Sequence, residues 1–403
     1  MAAASSSVVV VGAGHAGGQV AVSLREQGYR GSITVVGAEP VAPYQRPPLT
    51  KAYLAGKTDV EGLLMQKESY YEDNDIELVL DDPVAVIDRA ARVVVLSSGR
   101  TLVFGDLVLA TGATPRTLPG TLSLRTIADT DAVRARLDGP SRVVVIGAGF
   151  IGLEFAAVAR EQGHDVTVVE ALPRAMARAV TAFTSAHVVA EHEKTGVRVL
   201  LGTQVKAVRT GAVELADGTV LLADLVVAGI GVVPNAELAA GAGLTVGDGI
   251  VVDAHLRTDD PSIYAIGDCA RFSSTRTGGR IRLESVQNAT DQATCVAASI
   301  MGSAEPYTGL PWFWSEQHAV KLQIAGLVDG HDHTVVTGDP DGGRFSVFCF
   351  RGDRLLGVES VNKPADYMLA RRLLSAGGTV SPAVVAAPGF DLRTYLQGGA
   401  AAA

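Results

Sequence analysis

Cysteine is scarce in this chain: three occur in 403 residues, and none precedes Cys269. Cys269, Cys295 and Cys349 make neither a C-x-x-C pair nor a cluster with metal-ligand spacing, so no metal site is expected and the usage fits a reducing compartment. No apolar run approaches the ~18 residues of a membrane span. Residues 1–7 lack the basic start of a secretory signal, so a cytoplasmic protein without membrane insertion is expected. Excess positive charge is also missing: the formal net charge is −9, which argues against nucleic acid as a partner. Aromatics are few, at 5%, and the two tryptophans, Trp312 and Trp314, fall almost side by side. With 47% apolar and 19% charged residues the chain has ample core. At roughly 150 residues per domain, its length predicts two to three domains. Residues 397–403 read as a frayed tail.

Glycine is plentiful, and its placement is informative. Gly12-Ala13-Gly14-His15-Ala16-Gly17 follows the apolar run Val8–Val11, and Gly147-Ala148-Gly149-Phe150-Ile151-Gly152 follows Val143–Ile146. Both are G-x-G-x-x-G loops between a buried strand and a helix-compatible segment. There the first glycine makes the turn, the second admits a pyrophosphate and the third lets helix and strand approach, while the helix N-terminus offers N–H donors. Each is followed by an acid after a second strand: Glu39, with Ala38 beside it, and Glu170. Two such units predict two bound dinucleotides. A carboxylate at position 170 accepts from a ribose diol and repels a 2′-phosphate, which favours NADH over NADPH; Arg174 and Arg178 are the nearby cations that could reverse this preference.

The remaining pattern predicts helices over 16–27, 151–162, 286–301 and 364–376, and another starting near Thr50, because the prolines up to Pro48 exclude regular structure before it. Strands are expected at 76–80, 93–97, 107–110, 142–146, 165–169, 197–200 and 225–228, with a β-meander over 204–222. Four more fall at 319–327, 334–338, 345–350 and 355–361, inside an α+β module of about 90 residues. The strand 107–110 is expected to end in Thr111-Gly112-Ala113-Thr114-Pro115, a small-residue turn that lets backbone pass close to a cofactor.

Several further segments carry a resemblance: Pro43-Tyr44-Gln45-Arg46-Pro47-Pro48-Leu49-Thr50-Lys51, Leu109–Arg116, Gly229-Ile230-Gly231-Val232-Val233-Pro234-Asn235, Ala265–Ala270, Glu284–Ala289 and Pro311–Gln317. Through them residues 7–396 resemble the FAD-dependent, NADH-using ferredoxin reductases of oxygenase systems, whose wider fold is that of glutathione reductase. The resemblance implies an α/β fold with two Rossmann-like nucleotide-binding domains and a C-terminal α+β interface domain. The FAD domain, 1–113 and 241–310, is interrupted by an NAD domain, 114–240, and 311–403 form the last domain. Disulfide reductases of this fold carry a cysteine pair on the helix near residue 45; its absence here implies an acceptor that takes electrons from the flavin itself.

The same resemblance assigns roles. Gly12, Gly14, His15, Ala16, Gly17, Ala38, Glu39, Ala110, Thr111, Gly112, Gly267 and Asp268 are expected at FAD; Asp268 is the strongest single assignment, with a helix cap as the bland reading of the same position. Val84 and Arg125 match FAD contacts, Val286 the start of a helix under the flavin's pyrimidine end, and Arg46 and Pro48 its flanks. Gly147, Gly149, Ile151, Gly152, Glu170, Arg178 and Gly231 belong with NADH. Lys51 and Glu154 are expected as a charged pair beside the flavin N5, and Trp314 at the flavin's exposed edge as the electron exit, with Trp312 either there or in the core. The implied partner is a [2Fe–2S] ferredoxin serving a haem-thiolate monooxygenase or a Rieske dioxygenase, docked on a basic patch drawn from Arg280, Arg282, Arg371 and Arg372. A rubredoxin reductase or a monodehydroascorbate reductase-like enzyme is the alternative. A redox-sensing protein resembling apoptosis-inducing factor fits less well, because this chain is acidic and its last module compact.

Overall fold

The computed structural model describes residues 7–137 and 139–398. They fall into two compact units, one comprising the chain up to Arg46, Thr58–Thr114 and Val232–Gly309, the other Pro47–Lys57, Pro115–Gly231 and Leu310 onward. The last helix runs Leu392–Gln397, so the expected frayed tail starts at a helical residue; residues 399–403 lie outside the described residues, as do 1–6.

In the first unit Ser7–Val11 is the central strand of a five-stranded parallel sheet. Ser32–Val36 and then Ile76–Val79 lie to one side, Asp106–Leu109 and then Ile263–Ala265 to the other. The β-branched run Val8–Val11 is at most 4% exposed, as expected of a parallel strand covered on both faces. The chain order reverses at this strand, so the crevice at its carboxyl end, where the first glycine loop begins, is the place for a ligand. Helices His15–Glu26 and Val286–Ile300 pack against each other beside the sheet.

The second unit repeats the plan. A parallel sheet orders Arg198–Leu200, Asp165–Val169, Arg142–Ile146 and Leu225–Ala228, with helix Phe150–Glu161 following the second glycine loop. Both loop helices end at a Gln-Gly pair, and Gly28 and Gly163 both adopt φ +90°, a left-handed stop that costs glycine little. The meander forms as Val205–Arg209, Ala212–Leu215 and Val220–Leu222. Within the same unit, an antiparallel sheet orders Trp312–Gln317, Val320–Gly326, Arg354–Val361, Arg344–Arg351 and His333–Asp339, with helix Pro364–Ser375 packed on it.

One core joins the parallel sheet and the five-stranded antiparallel sheet of this unit. Phe150 meets Phe313 with ring centroids 4.5 Å apart, and Phe183 meets Phe345 at 5.3 Å. The fully buried Glu359 accepts from the Thr181 N–H at 2.6 Å and the Thr181 hydroxyl at 2.7 Å, tying the central antiparallel strand to the start of helix Ala182–Lys194.

Three departures from expectation bear on the site. Where a helix was expected to begin near Thr50, a 3-10 turn, Pro47–Thr50, leads into further turns, because Pro47 and Pro48 supply no N–H to a helical ladder. Trp312–Gln317 is a strand the pattern does not announce, since its alternation is hidden by apolar rings on both faces. Helix Ala182–Lys194 was likewise unread: its buried face carries Thr184, Ser185 and His192, which blur the apolar period.

Candidate active site

The glycines of each loop divide by what surrounds them. An added Cβ would stand 2.2 Å from the Ala110 oxygen at Gly12 (φ +113°) and 1.8 Å from the Gly12 oxygen at Gly17. At Gly14 it would meet only the Arg46 Nη2, 4.0 Å away. The second loop repeats this: Gly147 and Gly152 are closed off at 2.4 and 2.1 Å, while Gly149 has its nearest neighbour at 3.8 Å. The outer glycines are therefore required by the fold, whereas the middle ones border open space at a helix N-terminus, where a pyrophosphate fits. These loops fit two dinucleotides.

Around the first loop, His15 shares a 3.0 Å hydrogen bond between Nε2 and Thr290, and its Nδ1 is buried without a partner. Burial lowers the His15 pKa, partly opposed by Asp268. Asp268 lies in the 3-10 turn Gly267–Cys269 and caps no helix; the strand Ala270–Ser274 follows. Gly267 donates to Gln292 at 2.8 Å and would touch Ala16 if it bore a Cβ. Glu39 accepts from Tyr44 at 2.7 Å and from Arg46 at 2.8 Å, with Ala38 exposed beside it. The Ala110-Thr111-Gly112 turn is stitched by Asn235, which donates to the Thr111 oxygen at 2.9 Å and, through its backbone N–H, to the Gly112 oxygen at 3.0 Å. Val84 begins a strand and is buried, and Val286 opens its helix behind the Ser285 cap.

At the second loop Glu170 is held from both sides, by the N–H of Ala148 and that of Leu172, each at 2.8 Å. Arg174 is committed to the carbonyls of Val180 and Ala177, both at 2.6 Å. Arg178 stands over Gly231, whose Cβ would lie 3.6 Å from Nη2, and Ile151 is exposed beside Gly149.

Lys51 and Glu154 meet, as the resemblance implies. Lys51 Nζ donates to Glu154 Oε2 at 2.5 Å, and Thr50 donates to the same oxygen at 2.7 Å. Oε1 accepts from Ser315 at 2.7 Å. Glu154 is 3% exposed, so its carboxylate is a desolvated group compensated by three donors, one of them a cation. Pro48 lies in the turn that delivers Thr50 and Lys51.

The strand Trp312–Gln317 explains this meeting. Its period of two sends Phe313, Ser315 and Gln317 to one face, where Phe313 meets Phe150 and Ser315 meets Glu154, residues one turn apart on helix Phe150–Glu161. Trp312 and Trp314 take the other face, ring centroids 5.6 Å apart, with Arg371 stacked 4.3 Å over Trp312. Trp314 borders a groove of ≈ 640 Å³ that also exposes Lys321 and Arg344.

Two expectations need correction or extension. Arg282 is not available to a docking patch: it bridges Asp248 and Glu284 and is 10% exposed. Arg280 and Arg372 are exposed, and Arg125 is half-buried ahead of helix Ile127–Arg134. The residues that sequence reasoning missed are Thr50, Ser315, Gln317 and His192, the last three linked to Glu154 in series. The only available sign was the alternation of Ser315 and Gln317 in a strand that was itself unread.

Two dinucleotide loops, each at the switch of a parallel sheet, define an oxidoreductase of the glutathione-reductase-like class. Residues 6–293 match the pyridine nucleotide-disulphide oxidoreductase family and residues 312–396 the reductase C-terminal family. The chain is 49% identical over 402 residues to rhodocoxin reductase of Rhodococcus erythropolis, covering 97% of this chain and 94% of that protein. It is similar to the structure of the ferredoxin reductase for the CYP199A2 system of Rhodopseudomonas palustris, with TM-score 0.94, 48% identity and coverage of 98% and 100%. It also resembles the covalent putidaredoxin reductase–putidaredoxin complex, with TM-score 0.95, 39% identity and coverage of 98% and 99%. The chain belongs to the FAD-dependent NADH:ferredoxin reductase family, and its cofactors are FAD and NADH. No helix among the described residues is long and apolar enough to cross a membrane.

Proposed function

We propose that this enzyme oxidises NADH and delivers the electrons singly to a small iron–sulfur protein, a [2Fe–2S] ferredoxin that serves a haem-thiolate monooxygenase or a Rieske oxygenase. The observation that carries the reading is the Lys51–Glu154 pair, set in a chain with no cysteine before Cys269. When bound, FAD supplies a two-electron acceptor for the hydride of NADH and a one-electron donor to the partner.

The residues of the chain do the rest. Lys51 presents a fixed positive charge to the edge of the flavin that becomes electron-rich on reduction, and Glu154 keeps that ammonium in place from a site water does not reach. Glu170, pre-oriented by two backbone N–H groups, selects the unphosphorylated ribose of NADH. Val286, at the start of a 15-residue helix, offers backbone N–H groups and the positive end of its dipole to the same electron-rich ring. Trp314 forms the electron exit, and Lys321, Arg344 and Arg371 supply positive charge around it for an acidic partner. The division into an FAD domain (1–113, 241–310), an NAD domain (114–240) and an interface domain (311–403) is our functional partition of the chain.

Anaerobic stopped-flow absorbance tests the reading. NADH is expected to bleach the flavin, and oxidised [2Fe–2S] ferredoxin to restore its colour in step with two equivalents of ferredoxin reduction. Bleaching that ferredoxin fails to reverse but rubredoxin or ascorbyl radical does would replace this reading with the alternative one.

A further inference from the structure

A line of buried polar groups leads away from Glu154 on the side opposite Lys51. Glu154 Oε1 takes the Ser315 hydroxyl at 2.7 Å, Ser315 Oγ takes the Gln317 amide N–H at 3.0 Å, and Gln317 Oε1 lies 2.9 Å from His192 Nε2. None of the four residues is more than 3% exposed. The hydrogens can run only one way while Glu154 is ionised. A carboxylate donates nothing, so the single hydroxyl proton of Ser315 is directed at Glu154. Ser315 must then accept from Gln317, Gln317 turns its carbonyl to His192, and His192 must donate from Nε2. That tautomer leaves Nδ1 bare, and Nδ1 is indeed buried without a partner.

We propose that His192, Gln317 and Ser315 are positioning residues that act in series to hold Glu154 as a carboxylate aimed at Lys51. Each donor polarises the next, so the chain stabilises the charged form of Glu154 more than one hydroxyl would alone. His192 is a suitable terminus because it stays neutral, its pKa held down to about 4 by burial and by the adjacent His318, against the hydrogen bond to Gln317. The charges around the relay are Lys51 at the Glu154 end and, beyond His192, the His318 ring at 4.8 Å with Glu161 at 3.5 Å from it and Glu191 and Arg160 nearby. The proposal deepens the preceding reading and rests on it only where the flavin is concerned.

The test measures Glu154 directly in the holoenzyme, by carbon-13 NMR of protein labelled at the glutamate carboxyl, with Glu154→Gln to identify the resonance. Gln317→Leu is expected to displace the Glu154 carboxyl resonance at fixed neutral pH, because the Ser315 hydroxyl that donates to it loses its own donor. His192→Phe should move it less in the same direction, and His192→Gln, which keeps an N–H donor, should return it most of the way to the parent position. The flavin midpoint potential should shift in the same variants. An unchanged Glu154 resonance in Gln317→Leu and His192→Phe, with native near-ultraviolet circular dichroism, would overturn the relay. Should Gln317→Leu not fold, His192→Phe and Ser315→Ala carry the same test. A flavin potential indifferent to Lys51→Met would instead remove the reading that the pair serves the flavin, while the Glu154 resonance would still decide the relay.

Discussion

Lys51 Nζ lies 2.5 Å from Glu154 Oε2 although the two residues are 103 positions apart, and both belong to the same compact unit. The 3-10 turn Pro47–Thr50 and the helix Phe150–Glu161 exist side by side so that this contact can form. Glu154 is nearly inaccessible, whereas the Lys51 side chain keeps 22% of its exposure.

That asymmetry predicts what removing the lysine does. Lys51→Met strands a buried carboxylate with only hydroxyl donors, and is expected to destabilise the holoenzyme by about 3 kcal/mol, the lower part of the range for a broken buried pair because Lys51 still touches water. The double variant Lys51→Met/Glu154→Leu should recover part of that loss, since no charge is left unpaired. Urea unfolding followed by intrinsic fluorescence checks both. A single variant as stable as the parent would mean that water reaches Glu154.

The two kinds of glycine predict opposite phenotypes. Gly17→Ala and Gly152→Ala place a Cβ about 2 Å from a backbone oxygen and should cost folded protein outright. Gly14→Ala and Gly149→Ala meet no atom closer than 3.8 Å and have extended backbones that alanine accepts. Their effect is expected on ligands alone: Gly14→Ala purifies with depleted flavin, and Gly149→Ala keeps its flavin but binds NADH on the order of tenfold more weakly, the footprint of a methyl pressed against a pyrophosphate. Flavin content from the visible spectrum and NADH titration distinguish the two loops.

Glu170 is aimed by the N–H groups of Ala148 and Leu172, and Arg174 is bound into its own loop. Glu170→Ala should therefore raise KM for NADH on the order of ten- to a hundredfold while leaving flavin content unchanged, and should narrow the preference over NADPH. Steady-state kinetics with both nucleotides test this. An unaltered ratio would shift the discrimination to Arg178.

Both Rossmann units were legible in the sequence because each is announced three times, by a valine-rich strand, by glycines that backbone contacts forbid replacing, and by an acid after the second strand. The same is true of Lys51 and Glu154, though only the resemblance joined them; nothing in a spacing of 103 residues does so. The strand Trp312–Gln317 stayed hidden because apolar rings occupy both faces, and with it went Ser315 and Gln317. His192 was out of reach for a different reason: its helix buries polar residues, and a lone histidine 125 positions from its partner carries no local signal. Arg282 misled because charge alone does not reveal that Asp248 and Glu284 neutralise it.

The burial of His192 has a further consequence for acid stability. Its folded-state pKa of about 4 lies below the ordinary 6.5, so between those values the unfolded chain binds a proton that the native state refuses. Stability from this residue is complete above the ordinary histidine value and is lost as pH falls toward the folded one, at up to about 1.4 kcal/mol per pH unit and roughly 3 kcal/mol in all. His15, His164, His187 and His318 are also held low by burial and steepen the same slope, so the contribution of His192 must be read as a difference. At neutral pH His192→Phe should be about 1 kcal/mol less stable than the parent, because Gln317 loses its donor. On acidification the parent loses stability faster, so the two curves should converge and then cross before pH 4. Urea unfolding of both proteins from pH 7 down to 4 measures this, and parallel curves would show that His192 takes up its proton in the folded state as readily as in the unfolded one.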